Sequence, residues 1–124
     1  MTIDSAGEVH AASAALLLDR AETQSRIESM SADLLAVAAA VQGSNIDDEH
    51  DPEGTTVAFE REQLAALRAR ARAHLDEIDA ALARIAAGDY GRCVRCGRPI
   101  GDGRLSALPA AASCVRCATA RSGR

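Results

Sequence analysis

The sequence predicts an all-α fold: an antiparallel coiled-coil helical hairpin followed by a small C-terminal four-cysteine finger. Three observations lead there. Two long stretches lack helix breakers and repeat apolar residues in steps of three and four. A short polar segment with proline and glycine separates them. All four cysteines lie near one end, as two Cys-x-x-Cys pairs with seventeen residues between Cys96 and Cys114.

The first helix is expected over about 8–42, a span with no proline and no glycine after Gly7. Ile27, Met30, Leu34, Val37 and Val41 form a heptad stripe, and Leu16 continues it backward. Arg20 and Thr23 interrupt that stripe, so the seam reads as polar in its middle. Gly43 and the Ser-Asn that follows end the helix.

An acidic loop is expected over about 43–55. Asp47, Asp48, Glu49, Asp51 and Glu53 place five carboxylates within seven residues. Their mutual repulsion opposes packing, so the loop should be solvated. Pro52 and Gly54 are read as stopping either helix from running through.

The second helix is expected over about 56–87. Leu64, Leu67, Ala71, Leu75, Ile78, Leu82 and Ile85 carry its stripe, and Gly88 is its C-cap. Neither stripe can be buried by its own helix. Two helices of similar length joined by about a dozen residues fold back on each other. The hairpin so formed spans residues 1–87, the finger 88–124, and a monomer is expected. Two other arrangements satisfy the stripes: a homodimer, or a first helix broken near Arg20.

Composition agrees. The chain has 124 residues, 48% of them apolar but only 2% aromatic, and alanine supplies nearly half of the apolar share. Alanine buries little area, so a thick core is not expected and a small base needs a staple. Net charge is −4, with no lysine and an acidic first half against an arginine-rich second half. No run is long enough to cross a bilayer, and no basic segment precedes the apolar run Ala11 to Leu18. A cytoplasmic chain with reduced thiols is expected, where paired Cys-x-x-Cys motifs read as metal ligands before disulfides.

Cys93, Cys96, Cys114 and Cys117 have the spacing of a structural Zn²⁺ site. Each Cys-x-x-Cys turn aims two sulfurs at one metal, and two such turns fill a tetrahedral shell. A filled shell leaves no open position for catalysis. There is also no Ser/His/Asp set, Walker loop or dinucleotide glycine motif, so no enzymatic activity is expected. Arg92, Arg95, Arg98 and Arg104 crowd the finger. They offset thiolate charge, or they form an anion-binding or partner-facing patch.

Tyr90-Gly91, Cys93, Cys96-Gly97, Ile100, Arg104-Leu105, Ala107, Pro109, Cys114 and Cys117 resemble the zinc-finger signature of the DksA/TraR family. The resemblance covers the end of the second helix and the finger, about a third of the chain. It implies a coiled-coil hairpin on a zinc-containing base. It also implies a transcription regulator that binds RNA polymerase and inserts its hairpin tip through the secondary channel, without reading DNA sequence. Guanosine tetraphosphate is a second ligand the family allows. The family's tip carries Asp-x-x-Asp-x-Ala; Asp48 and Asp51 match its acids, and Glu53 stands in place of the alanine. Two other functions fit the residues: a zinc-stapled coiled coil that binds another protein, and a DNA-binding zinc-finger repressor.

Overall fold

The computed structural model describes residues 6–43 and 52–122; the side chains of 41–43, 52–53 and 121–122 are outside that description. The described residues form four helices: α1 (Ala6–Gly43), α2 (Pro52–Ala87), α3 (Asp102–Ala107) and α4 (Val115–Ser122). No strand occurs among them, only an isolated antiparallel bridge between Arg92 and Pro99. The all-α hairpin with a C-terminal four-cysteine finger is thus the fold of this chain. No helix among the described residues is long and apolar enough to cross a membrane.

α1 runs unbroken through Arg20, so it does not divide there. α2 begins at Pro52, four residues before the position read from the sequence. Proline suits the first helical position, where its missing N–H would be unpaired anyway and its fixed φ is already helical. Pro52 therefore opens α2 instead of blocking it, and Gly54 lies inside the helix.

Spatial contacts group the chain into two units, residues 1–21 with 75–124 and residues 22–74. A division at 87/88 follows chain position; the contacts instead join the finger to the outer ends of both long helices.

In the first unit, Leu16 of α1 and Ile78 and Ala81 of α2 are buried together with Tyr90, Cys93, Ile100 and Leu105 of the finger. Ala12, Leu82 and Ile85 pack around them. Helix stripes and finger thus share one core, and the finger covers apolar surface that two helices alone would leave wet. Arg20 Nε meets Asp79 Oδ1 at 2.6 Å within this unit.

In the second unit, Thr23 is fully buried, and its hydroxyl accepts a 3.2 Å hydrogen bond from Arg26. A polar residue at a seam position is thereby satisfied, not expelled. Leu67, read as a seam residue, is 51% exposed. Arg68 takes the inward place, half-buried, and donates to Ser31 Oγ at 3.1 Å. Arg20–Asp79 in the first unit and Ser31–Arg68 in the second each join α1 to α2.

Candidate metal centre

The route into the finger starts at the end of α2. Gly88 adopts φ +81°, its N–H bonds the Ile85 carbonyl, and the Asp89 N–H bonds the Arg84 carbonyl. This is a Schellman cap, which satisfies the last carbonyls and turns the chain. Tyr90 follows, its ring buried in the core and its hydroxyl donating to the Pro109 carbonyl at 2.9 Å.

The first cysteine turn is a tight hairpin. Cys93 N–H bonds the Arg98 carbonyl at 2.8 Å, and Ile100 N–H bonds the Gly91 carbonyl at 2.8 Å. Gly97 closes it at φ +76°, with its N–H on the Cys93 carbonyl at 2.9 Å. That positive φ is open to glycine at little cost and strains other residues.

The second cysteine turn is built differently, as a helix start. Cys114 directly precedes α4, and its carbonyl accepts from Ala118 N–H at 2.9 Å. Cys117 therefore lies in the first turn of α4. Two bonds hold the two turns in register: Val94 N–H to the Ala112 carbonyl at 2.9 Å, and Arg104 Nε to the Ser113 carbonyl at 2.9 Å.

The four sulfurs lie within 4.8 Å of one another, and none is in a disulfide. Cys96 Sγ and Cys114 Sγ are 3.8 Å apart. With Zn–S bonds of about 2.3 Å, tetrahedral sulfurs are separated by about 3.8 Å. A disulfide would need about 2.05 Å. Donor set and spacing fit a structural Zn²⁺, which would bind all four thiolates in a closed shell and offset half of their charge. Cys93 is buried in the core, Cys96 is exposed, and Cys114 and Cys117 are half-buried.

Ionisation of the thiols reflects the same geometry. The backbone N–H of Cys96, helped by those of Cys114 and Arg95, holds Cys93 down to about 6 against the effect of burial. The backbone N–H of Cys117 likewise lowers Cys114. Cys117 is pushed up to about 12, first by its hydrogen bond with the Cys114 side chain, then by burial and by the other two thiols. Four thiols this close cannot all ionise without a cation between them. A divalent metal removes that conflict.

The other residues singled out in the sequence fall in different places. Arg92, Arg95 and Arg98 are exposed on the first cysteine turn. Arg104 is half-buried and committed to Ser113, so it acts as an internal brace. Asp48 and Asp51 lie outside the described residues, and Glu53 is in the first turn of α2 with its side chain outside the description.

Two contributors were not foreseen as such. Arg84 Nη2 donates to the Ala111 carbonyl at 3.4 Å, and the Tyr90 hydroxyl reaches Pro109, so Arg84 ties α2, and Tyr90 the residues just after it, to the segment before the second turn. A cation in the last helical turn was the available signal for Arg84. Nothing local marked its target, which lies 27 positions away.

Comparison with known proteins places these features. Residues 88–123 match the prokaryotic dksA/traR C4-type zinc finger. The chain is similar to the solved structure of transcription factor DksA2 from Pseudomonas aeruginosa, with TM-score 0.77 and 29% identity, covering 97% of this chain and 87% of that one. The solution structure of the DnaK suppressor protein from Agrobacterium tumefaciens aligns at 31% identity over 84% of this chain and 91% of that one, with TM-score 0.44. An uncharacterized protein of Aquifex aeolicus is 50% identical over 46 residues, which are 37% of this chain and 32% of that relative. The match therefore spans about a third of that relative's length.

Proposed function

We propose that this chain, a member of the DksA/TraR C4-type zinc-finger family, regulates transcription by binding RNA polymerase directly. The likeness to transcription factor DksA2 over 97% of the chain carries this reading. It extends beyond the finger to both long helices.

Each part has a task in the mechanism. Cys93, Cys96, Cys114 and Cys117 hold one Zn²⁺, which fixes the finger against Leu16, Ile78 and Ala81. The metal supplies stability and no chemistry, because four protein ligands leave no open coordination position. The protein is therefore a regulator and not an enzyme.

The segment between α1 and α2 enters the polymerase secondary channel. Its carboxylates, with Asp48 and Asp51 foremost, act together with Glu53 at the start of α2 on the Mg²⁺ or the basic groups of the polymerase active site. Hard cations prefer oxygen ligands, and a cluster of acids supplies several. Arg92, Arg95 and Arg98 face the polymerase, since exposed guanidinium groups suit bidentate contacts with carboxylate or phosphate. The protein works in the cytoplasm, as a monomer.

In vitro transcription with purified polymerase tests this. Wild-type protein should alter initiation. Asp48→Asn with Asp51→Asn should abolish that effect while polymerase still co-purifies with the variant. Wild-type protein that neither binds polymerase nor changes transcript yield would refute the reading. A double variant as active as wild type would remove the acids from the mechanism.

A further inference from the structure

A cleft of about 420 Å³ opens within the first unit, between α1 and α3. Its size is within the range of small-ligand pockets. Leu105, buried, and Ala12, half-buried, form its floor, and Tyr90 contributes an aromatic wall. Glu8 of α1 and Asp102 of α3 stand on it as exposed carboxylates. Neither has an ion-pair or hydrogen-bond partner among the described residues. Of the arginines in the same unit, Arg20 pairs with Asp79, while Arg84 and Arg104 direct their guanidinium groups to the Ala111 and Ser113 carbonyls.

We propose that this cleft binds an arginine- or lysine-bearing peptide segment of a partner protein. Two carboxylates from separate helices, an aromatic wall and a small apolar floor match a cation on an aliphatic stem. The charged head pairs with Glu8 and Asp102 and is attracted to the Tyr90 ring, while the methylenes cover Ala12 and Leu105. Ala15 leaves room for the stem. A free polyamine fits less well, because its charges run along the whole stem and some would rest on the apolar floor. The exposed rim lets a peptide backbone stay outside while one side chain enters. This contact is separate from the tip and stands without the polymerase reading.

The test is an NMR titration of the zinc-loaded full chain, following the methyl groups of Ala12, Ala15 and Leu105. Three probes are added in turn: acetyl-Ala-Arg-Ala-amide, the same peptide with glutamine for arginine, and spermidine. The arginine peptide should give saturable shifts. The glutamine peptide and the Glu8→Gln/Asp102→Asn variant should each weaken binding about fivefold or more. Ala15→Leu, which fills the cleft but keeps both carboxylates, should also block the peptide. Equal binding of the glutamine peptide, unchanged affinity in either variant, or spermidine binding as tightly as the arginine peptide would overturn the proposal.

Discussion

Cys96 Sγ and Cys114 Sγ lie 3.8 Å apart although eighteen positions separate them in sequence. That distance suits two ligands of one zinc ion and no covalent bond between them. Cys93 of the same cluster belongs to the core that also holds Leu16 and Ile78. Removing the metal should therefore loosen the ends of α1 and α2 as well as the finger. Structural zinc contributes on the order of 10 kcal/mol. A strong chelator, or Cys114→Ser, should lower the thermal midpoint seen by circular dichroism by tens of degrees. An unchanged midpoint would mean that the sulfurs carry no structural metal.

Zinc uptake by the metal-free protein should release protons at neutral pH. The Cys117 thiol, pushed up to about 12, is protonated there and must ionise to bind. The Cys93 thiol, held down to about 6, is already a thiolate and has little to give up. Release should be at least one proton per zinc and fewer than four, read with an indicator dye in weak buffer. Zero or four would contradict the ionisation pattern.

Tyr90 serves the fold in two separable ways, by its buried ring and by its hydroxyl on Pro109. Tyr90→Phe should cost about 1 kcal/mol, the net worth of one hydrogen bond. Tyr90→Ala should cost about 3–5 kcal/mol through the cavity it leaves. Urea denaturation in excess zinc distinguishes them. Equal losses would mean that the ring contributes nothing beyond the hydroxyl.

The Arg20–Asp79 pair is short, but its side chains are 37% and 46% exposed. Solvent screens such a pair, so a double-mutant cycle should give about 0.2–1 kcal/mol. Ile78, with no exposed surface, should cost about 2–5 kcal/mol on replacement by alanine. A larger loss at Arg20 than at Ile78 would reverse this view of what holds α1 to α2.

Much of this was legible along the chain. The cysteine pairs announce their metal because a Cys-x-x-Cys turn is a local device, complete within a few residues. The helices announce themselves by apolar spacing, and Gly88 by its place after the last apolar residue of α2. The reading failed where two helices compete for one seam. Thr23 reads along the chain as an interruption and is fully buried, while Leu67 reads as a seam residue and is exposed beside an inward Arg68. Side-chain chemistry alone cannot say which of two adjacent positions turns inward when hydrogen-bond partners sit on the other helix.

By itself, then, the sequence determined an all-helical hairpin and a four-thiolate staple, because periodicity and ligand spacing act over short distances. Only the tertiary structure decided that the finger shares its core with Leu16 and Ile78. It also decided that Arg84 at the end of α2, and Tyr90 just after it, bond the segment before the second cysteine turn, and that Arg104 faces inward while Arg92, Arg95 and Arg98 face water. Those outcomes rest on contacts between residues far apart in the chain, formed when the finger closes over the helix ends and exposed apolar surface is withdrawn from water.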